Sequence, residues 1–355
     1  MSESPFNIED APGLLPIGPA PQSAEDRAAA EMTLDALLSF DAKNDPDCLL
    51  GFRYLGRSGG LVIVAPSGVG KSVLSFDLAA CAALGRPFFS VKILFPLRVL
   101  YVQAEDDLGD VAEAVQGFVK THRLGEKELA QLKTRLRIVR WNDAAGGKFL
   151  ARLEAEFAVW PFDFVIINPL FSFCGCAVSE QEPMSAFLRN GLNPILNKTR
   201  AACVIVHHTN KPLADPKNKG ERSNNDLSYS GSGSAELTNW ARAYITLQNV
   251  KAAGDGVYKM GFTKRGTRAG ILDGNGRPST SVLIEHAKDG LCWLPSDWKQ
   301  EARSDGKFKT KFDLARASAV YDPKLSWPDN KRRIAGDLDM SERVIHAYRN
   351  QLEAV

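Results

Sequence analysis

The sequence lacks the features that mark several specialised classes of protein. Its first residues have no basic segment followed by an apolar stretch, so they do not resemble a secretory leader. No apolar run approaches the roughly 20 residues that a membrane-spanning helix needs. The formal net charge is only +2, which gives no overall signal of a nucleic-acid-binding polyelectrolyte. We therefore expect a cytoplasmic protein without membrane association, in which any basic surface for nucleic acid is local.

Cysteine is also scarce and irregularly placed. The six cysteines are scattered, and several stand inside apolar runs, a pattern that predicts reduced, buried thiols rather than a disulfide framework. A zinc site built from Cys174, Cys176, His207 and His208 is disfavoured. Cys-x-Cys beside adjacent histidines is poor spacing for tetrahedral coordination.

Composition and periodicity divide the 355 residues into segments of different character. The first is rich in proline and has no hydrophobic periodicity, which predicts disorder. A helical arm, a long core, a polar linker and a tail then follow. The predicted boundaries are 1–24 for the disordered segment, 25–48 for the arm, 49–295 for the core, 296–310 for the linker and 311–355 for the helical, winged-helix-like tail.

The core alternates short β-rich runs with helical stretches. Most of the β-rich runs are continuously apolar, which is typical of parallel strands covered by helices on both faces. After residue 240 the pattern predicts an antiparallel extension of the sheet. The predicted fold class is therefore α/β, a doubly wound and mainly parallel sheet with an antiparallel extension, followed by a small helical C-terminal domain. Predicted strands are 61–65, 98–104, 136–140, 162–168, 203–208, 241–250, 256–265 and 280–294; predicted helices are 71–84, 107–122, 126–133, 146–157 and 181–198.

A phosphate-binding loop follows the first of these strands. The segment APSGVGKS lies between a predicted strand and a predicted helix, the context that a Walker A loop requires. Glycine lets backbone N–H groups face phosphate oxygens, the lysine supplies charge to the β- and γ-phosphates, and the serine hydroxyl suits Mg²⁺. The alternative is a glycine-rich turn without a ligand. The predicted cofactors are ATP and Mg²⁺, and the predicted nucleotide-binding residues are Ser67, Gly68, Val69, Gly70, Lys71, Ser72 and Val73.

Acidic and amide side chains end two further strands at the same sheet edge. Glu105 follows the strand 98–104 and is predicted to polarise the attacking water, with Asp106 and Asp107 as alternatives. A helix-capping role for this acidic run is the competing interpretation. Asn168 stands where Walker B strands usually carry an aspartate for Mg²⁺. Its amide can accept a hydrogen bond from a metal-bound water but brings no negative charge.

Adjacent histidines, His207 and His208, end the strand 203–208. They are predicted to take part in catalysis as sensors of the γ-phosphate, since this strand also ends at the ligand edge. The alternative is that they are ordinary polar residues at a strand end.

A group of cations follows a predicted strand near residue 262. Hydrolysis at a subunit boundary often takes positive charge from the neighbouring subunit, and this group could supply it. A solvated basic hairpin tip is the alternative. The candidates for this role in trans are Lys264, Arg265 and Arg268, with Arg242 as a second choice.

Further basic residues are candidates for contact with DNA phosphates. One set lies in the long polar loop 209–234, where a flexible surface excursion is the competing interpretation. The other lies in the tail, whose net charge over 299–355 is +3 and whose pattern resembles a helix-turn-helix, or alternatively a packing module for subunit contacts. The candidates are Lys211, Lys217, Lys219 and Arg222 in the loop, and Arg343 and Arg349 in the tail.

Together, the segments GGLVIVAPSGVGKS, VLYVQAEDD, FDFVIINPL, VIVHHTNK, GSGSAELTNWAR and KRGTR resemble the RecA-like ATPase superfamily. They look closest to the plasmid RepA hexameric replicative helicases and the related AAA proteins of phages and mobile elements. The resemblance covers about residues 50–270. Asn168 departs from the usual aspartate of that family.

The resemblance implies an ATP-driven homo-oligomer, a hexameric ring that moves on single-stranded DNA during replication. It implies phosphate and Mg²⁺ roles for Lys71 and Ser72, a catalytic role for Glu105, and trans-acting positions for Lys264 or Arg268. Competing hypotheses remain open. One is a nucleotide-switched recombination or regulatory ATPase that binds DNA without unwinding it; the other is a DNA-binding regulator that uses the C-terminal helices.

Overall fold

The computed structural model describes residues 33–208, 235–250, 256–273, 276–288, 290–297, 314–338, 342–347 and 349–352. The chain divides into two compact units, Met1–Trp298 and Lys299–Val355. The predicted disordered segment 1–24 and the predicted DNA-contacting loop 209–234 lie outside the described residues.

A nine-stranded sheet forms the centre of the first unit. In chain order the strands of this unit are β1 (Cys48–Leu50), β2 (Leu55–Gly56), β3 (Gly60–Ala65), β4 (Val99–Gln103), β5 (Leu136–Arg140), β6 (Phe164–Asn168), β7 (Ala202–His208), β8 (Ala243–Asn249), β9 (Val257–Phe262), β10 (Ile271–Leu272), β11 (Pro278–Ser279), β12 (Ser281–His286) and β13 (Trp293–Pro295). The strand order is β13-β12-β9-β8-β3-β7-β6-β4-β5. All pairs from β8 to β5 are parallel, whereas β9, β12 and β13 pair antiparallel. This large, mostly parallel sheet fits the predicted RecA-like fold.

Helices connect the strands. In the first unit they are α1 (Leu34–Ser39), α2 (Lys71–Leu84), α3 (Leu108–Thr121), α4 (Glu126–Arg135), α5 (Gly147–Val159), α6 (Gln181–Ser185), α7 (Asn193–Thr199) and α8 (Ala235–Trp240), with a π-helical segment at Ala186–Leu192 and short 3₁₀ turns at Leu170–Ser172 and Gly266–Ala269. The bounds of α2 match the predicted 71–84. Gly85, in the left-handed region, ends this helix.

The continuous apolar strands have a clear structural reason. Successive side chains of a strand point to opposite faces, so a strand covered on both sides needs apolar residues throughout. In β3, Leu61 and Ile63 join the core cluster that includes α2, while Val62 and Val64 join the cluster on the other face, with α5 and α8. The doubly wound arrangement follows from this pattern.

The structure differs from the prediction of one strand at 280–294. The segment forms a hairpin of β12 and β13, paired antiparallel from Ile284–Pro295 to His286–Trp293. The Ala287 N–H donates to the Cys292 carbonyl at 2.8 Å and closes the connection. The polar, Gly290-containing turn interrupts the apolar run, which is the usual reason for a chain reversal.

The predicted arm 25–48 is described from residue 33, and in that part only α1 is helical, with none of the helix residues buried. The remainder of the described part is not helical, and Asp45 and Cys48 are buried. In the second unit the helices are α9 (Leu314–Val320), α10 (Trp327–Leu338), α11 (Glu342–Ala347) and α12 (Arg349–Leu352). Ala317, Ile334 and Leu352 belong to its own small apolar core. A helix-turn-helix or winged-helix function for this unit stays a prediction. Within the described parts of the chain, no helix has the length and apolar character that a membrane crossing would need.

Candidate functional site

The loop between β3 and α2 has the backbone that phosphate binding requires. Gly68 and Gly70 have φ values of 78° and 82°, a region that favours glycine. A side chain at Gly70 would also come within 2.8 Å of the His286 ring. The Lys71 ammonium donates to the Pro66 carbonyl at 2.7 Å, and burial lowers the pKa of Lys71 to about 8 while the Glu105 charge opposes that shift. These residues fit a nucleotide phosphate at the N-terminus of α2.

Asn168 lies at the loop, but its amide donates rather than accepts. Its Nδ2 atom lies 3.1 Å from the Ser72 hydroxyl oxygen and 3.0 Å from the Tyr101 hydroxyl oxygen. Tyr101 in turn lies 2.9 Å from the Ser75 hydroxyl. Asn168 therefore orients the Ser72 hydroxyl through a buried network. Its predicted contact with a metal-bound water stays a prediction.

Asp106 contacts the same serine from the neighbouring strand end. Burial raises the pKa of Asp106, and the nearby Ser72 hydroxyl opposes that shift. Asp106 is therefore a neighbour of the loop serine. Asp107 has a different role, because its side chain caps α3 in a capping box with Asp110. The competing capping interpretation thus applies to Asp107, whereas Asp106 faces the loop.

Glu105 is exposed at the end of β4 and interacts with the Lys71 charge. The pKa of Glu105 is raised, mainly by burial and also by the charge of the neighbouring Asp106, while the positive charge of Lys71 partly opposes this shift. An exposed carboxylate beside the phosphate-binding lysine has access to water. This placement is suited to the predicted role of orienting a nucleophilic water.

The two histidines at the end of β7 have different surroundings. His207 is only 3 % exposed, whereas His208 is partly exposed and its ring lies 5.9 Å from that of Phe171. Burial lowers the pKa of His208, and the positive charge of Lys71 lowers it further. Because Ala65 pairs with His208 in the sheet, both histidines lie at the phosphate-loop edge.

The hairpin β12–β13 supports the loop from the antiparallel side of the sheet. The Trp293 indole N–H donates to the Gly70 carbonyl at 3.1 Å, and its ring lies 3.7 Å from that of His286. The Trp293 backbone N–H donates at 2.8 Å to Asp77, a fully buried carboxylate on α2. Burial raises the pKa of Asp77 well above its ordinary value. Nothing in the local sequence pattern predicts this support, although the single acid inside the apolar run of α2 is an anomaly that points to a buried partner.

The predicted trans-acting cations lie at the edge of the sheet where the parallel strands begin, opposite to the edge that carries the phosphate loop. Arg242 immediately precedes β8, and its backbone N–H donates at 2.8 Å to the carbonyl of Gly60, where β3 begins. Arg265 and Arg268 follow β9, which runs antiparallel to β8 and therefore ends at the same edge. Because β3 spans Gly60–Ala65 at about 3.3 Å per residue, the two edges are roughly 17 Å apart. In the described part of the chain, none of these three arginines forms an ion pair.

Lys264 differs from the arginines beside it. Its ammonium donates to the carbonyl of Thr238 and, at 2.9 Å, to that of Ala241. These carbonyls lie at the C-terminal end of α8, where a cation is favourable. Lys264 therefore holds the end of α8 in this structure, so it is less available than Arg265 and Arg268 for a ligand of another subunit.

The remaining predicted sites are placed only in part. The loop candidates Lys211, Lys217, Lys219 and Arg222 lie outside the described residues. Arg343 lies on α11, and the Arg349 guanidinium lies 5.2 Å from the centre of the Trp327 ring. Across the described residues there is no group of three or more His, Cys, Asp and Glu side chains arranged to hold a metal ion.

Comparison with known proteins identifies the family. The family model AAA_25, described as an AAA domain, matches residues 25–214. This match covers more than half of the chain and includes the phosphate loop, Glu105, Asn168 and both histidines. No curated protein matches the chain. The family supports nucleotide binding and ATPase activity. The chain therefore belongs to the AAA_25 family and is an AAA-type ATPase.

Proposed function

We propose that this protein is an ATP-driven DNA motor of the RepA-like helicase type. In this proposal it forms a homo-oligomeric ring, a hexamer that moves on single-stranded DNA, and hydrolyses ATP at subunit boundaries. The main support for a site shared between subunits is the position of three arginines. Arg242, Arg265 and Arg268 lie at the sheet edge opposite to the phosphate loop. They are exposed and form no ion pairs among the described residues. They cannot reach the loop of their own subunit across about 17 Å of sheet.

Each residue at the phosphate loop has a defined task in this mechanism. The backbone N–H groups around Gly68 and Gly70 and the ammonium of Lys71 hold the phosphates, which requires Lys71 to leave the Pro66 carbonyl. Glu105 orients a water molecule and accepts its proton as the water oxygen bonds to the γ-phosphorus and the bond from that phosphorus to the departing ADP breaks. Ser72 would help to hold Mg²⁺, which would neutralise charge on the phosphates when bound.

The histidines connect the nucleotide to the following segment. His208 is close enough to Lys71 for the lysine charge to lower the pKa of His208. A change in phosphate occupancy beside Lys71 alters this field at the end of β7. The segment after His208 contains the predicted DNA-contacting lysines, so a signal through β7 would reach the DNA site directly.

The arginine edge supplies the remaining charge from a second copy of the chain. An arginine provided in trans is worth about 10³–10⁵ in turnover in related phosphoryl-transfer enzymes. Arg265 has a left-handed φ of 52°, an uncommon conformation for arginine that is often associated with functional sites. Arg265 and Arg268 are therefore the first candidates, with Arg242 as the second.

A complementation experiment tests the composite site. Glu105→Gln and the double variant Arg265→Ala/Arg268→Ala should each be nearly inactive in ATP hydrolysis. When they are mixed and reassembled, roughly a quarter of the boundaries should combine an intact loop with intact arginines, so activity should return to about that fraction. Continued inactivity of the mixture, with both proteins assembled, would contradict catalysis in trans.

Single-stranded DNA tests the motor. We expect DNA to stimulate ATP hydrolysis by the wild-type protein and the Glu105→Gln protein to show no such stimulation. A forked duplex then separates the proposal from its rival, a nucleotide-switched DNA-binding ATPase that does not unwind. The specific observation in favour of that rival is Asn168, since an amide replaces the usual carboxylate at the loop.

A further inference from the structure

The phosphate loop has a carboxylate partner that does not come from the usual strand. In Walker-type sites the loop serine and an aspartate at the end of the neighbouring strand hold the nucleotide-bound Mg²⁺. Here that strand end is Asn168, whose Nδ2 atom lies 3.1 Å from the Ser72 hydroxyl oxygen. An amide in this position adds no negative charge to attract a divalent cation.

Asp106 brings that charge to the same hydroxyl. Asp106 is half-buried just after the adjacent strand β4, and the Ser72 hydroxyl lies near enough to lower the pKa of its carboxyl group. The register places the end of β4 beside Asn168, since Gln103 pairs with Asn168 across the two strands. Ser72 thus accepts a hydrogen bond from the Asn168 amide and has the Asp106 carboxylate as a neighbour.

The Ser72 oxygen has two lone pairs, and only one of them accepts from the Asn168 Nδ2 group. A cation bound through the second lone pair, with the hydroxyl still protonated, would meet the Ser72 oxygen and the Asp106 carboxylate together. Hard divalent cations bind oxygen ligands of this kind.

A second observation at this place is a buried oxygen atom without a hydrogen-bond donor among the described residues. The buried side chain of Gln103 is only 3 % exposed, and its Nε2 atom donates to the Asp106 carbonyl at 2.9 Å. Its Oε1 atom is also buried and finds no hydrogen-bond donor within the described ranges. A buried amide oxygen seldom lacks a donor, and a metal-bound water is a suitable one.

The ionic surroundings leave the Asp106 charge available. Within the described residues, no lysine or arginine lies within ion-pair distance of this carboxylate, although Arg140 acts on it at longer range. Asp107 and Asp110 differ, because they cap α3 through each other. Asp106 is the member of the acidic run that is directed at the loop serine.

We propose that Asp106 has taken over the metal-holding role of the missing Walker B aspartate, so that Ser72 and Asp106 together bind the Mg²⁺ of the nucleotide while Asn168 orients Ser72. This inference rests on the proposed nucleotide-binding function. It moves the metal carboxylate from β6 to β4, the strand that also carries Glu105. A water-orienting and a metal-binding carboxylate would then stand next to each other in the chain.

The test measures metal affinity without turnover. Mn²⁺ is titrated into the full-length protein with the slowly hydrolysed analogue ATPγS, and free Mn²⁺ is followed by electron paramagnetic resonance. Asp106→Asn should weaken Mn²⁺ binding by about 10–100-fold, the usual effect of losing a group that supports a metal. The matched control Asp107→Asn removes the same charge one residue away, keeps the helix cap, and should change Mn²⁺ affinity by less than about threefold.

A double variant that moves the carboxylate from residue 106 to residue 168 gives the most specific test. In the double variant Asp106→Asn/Asn168→Asp the carboxylate returns to the end of β6, and Mn²⁺ affinity should recover to within about tenfold of the wild type. Denaturant unfolding checks that each variant folds, and Asp106→Ser replaces Asp106→Asn if the latter does not fold. Wild-type affinity in a folded Asp106→Asn or Asp106→Ser protein would overturn the inference.

Failure of the underlying function has a different signature. If the wild-type protein binds no ATPγS with or without metal, the nucleotide-binding proposal itself is wrong, and the inference falls with it. If the wild type binds ATPγS with Mn²⁺ and the folded variants bind Mn²⁺ equally well, only the role of Asp106 is wrong.

Discussion

The two edges of the central sheet carry opposite charge. At the edge where the parallel strands end, Glu105 and Asp106 stand beside Lys71 and the loop. At the edge where those strands begin, Arg265 and Arg268 are exposed, close enough to each other for the charge of Arg268 to act on Arg265. Strand direction explains the difference, because β9 runs back through the sheet and carries its following residues to the far edge. One subunit therefore carries acidic residues at one edge and exposed cations at the other, as the proposed composite site requires.

The first prediction concerns the removal of a carboxylate from the acidic edge, and its expected effect is the largest. Glu105→Gln removes the carboxylate that orients water and should reduce turnover by about 10²–10⁴-fold. Nucleotide affinity should change little, since the phosphates are held by the loop and Lys71. Steady-state hydrolysis and nucleotide binding would be measured together.

Its matched control is Glu113→Gln, the same chemical change at an exposed glutamate on α3. The control should hydrolyse ATP at the wild-type rate. If Glu105→Gln retained more than a tenth of wild-type turnover, the catalytic role would pass to another carboxylate of the acidic run.

The second prediction concerns Asp77, a buried carboxyl group on α2 that lies at neither edge of the sheet. Burial raises the pKa of Asp77, so it is protonated in the folded protein at pH values where the unfolded chain is ionised. The folded state then binds more protons, and stability falls as pH rises above the ordinary aspartate pKa of about 3.9, by up to about 1.4 kcal/mol per pH unit. Asp77→Asn removes this pH-dependent contribution to stability and keeps an acceptor for the Trp293 N–H. Denaturant unfolding at pH 5 and pH 8 should show a steeper loss of stability in the wild type; parallel behaviour of the two proteins would argue against a neutral Asp77.

The third prediction concerns the cationic edge and distinguishes a structural lysine, Lys264, from an exposed arginine, Arg268. Lys264→Met removes hydrogen bonds to carbonyls at the end of α8 and should lower the free energy of unfolding by about 1–3 kcal/mol. Arg268→Met, at an exposed side chain without an ion pair among the described residues, should lie within about 0.5 kcal/mol of the wild type. Denaturant unfolding distinguishes them. Equal destabilisation by both substitutions would mean that the edge is structural throughout.

The fourth prediction has the smallest expected effect and tests how the antiparallel hairpin supports the acidic edge. Trp293→Phe keeps an aromatic ring but removes the indole N–H that donates to the Gly70 carbonyl. We expect a loss of about 0.5–1.5 kcal/mol, which appears as a loss of nucleotide affinity of up to about tenfold if it falls on the loop. Affinity for ATPγS and unfolding free energy are measured on the same protein. An effect on unfolding alone would assign Trp293 to the core only.

Much of the parallel core was predictable because its determinants are local. The bounds of α2 and of β5 agree with the predicted 71–84 and 136–140, since Gly85 marks the end of α2 and β-branched residues mark β5. The antiparallel region was predicted less well. The run 280–294 is apolar at both ends, and only its Gly290-containing turn separates β12 from β13.

The sequence by itself determined the chemistry of the phosphate loop, since the glycines, Lys71 and Ser72 are adjacent and need no distant partner to be recognised. Only the tertiary structure decided which distant side chains meet them. It brought Asp106 and Asn168 close to Ser72, and it brought Trp293, more than 200 residues away in the chain, to the carbonyl of Gly70. It also sent Arg265 and Arg268 to the far edge. The physical reason is that strand order and direction fix which strand ends are neighbours, and neither is written in the local pattern of residues.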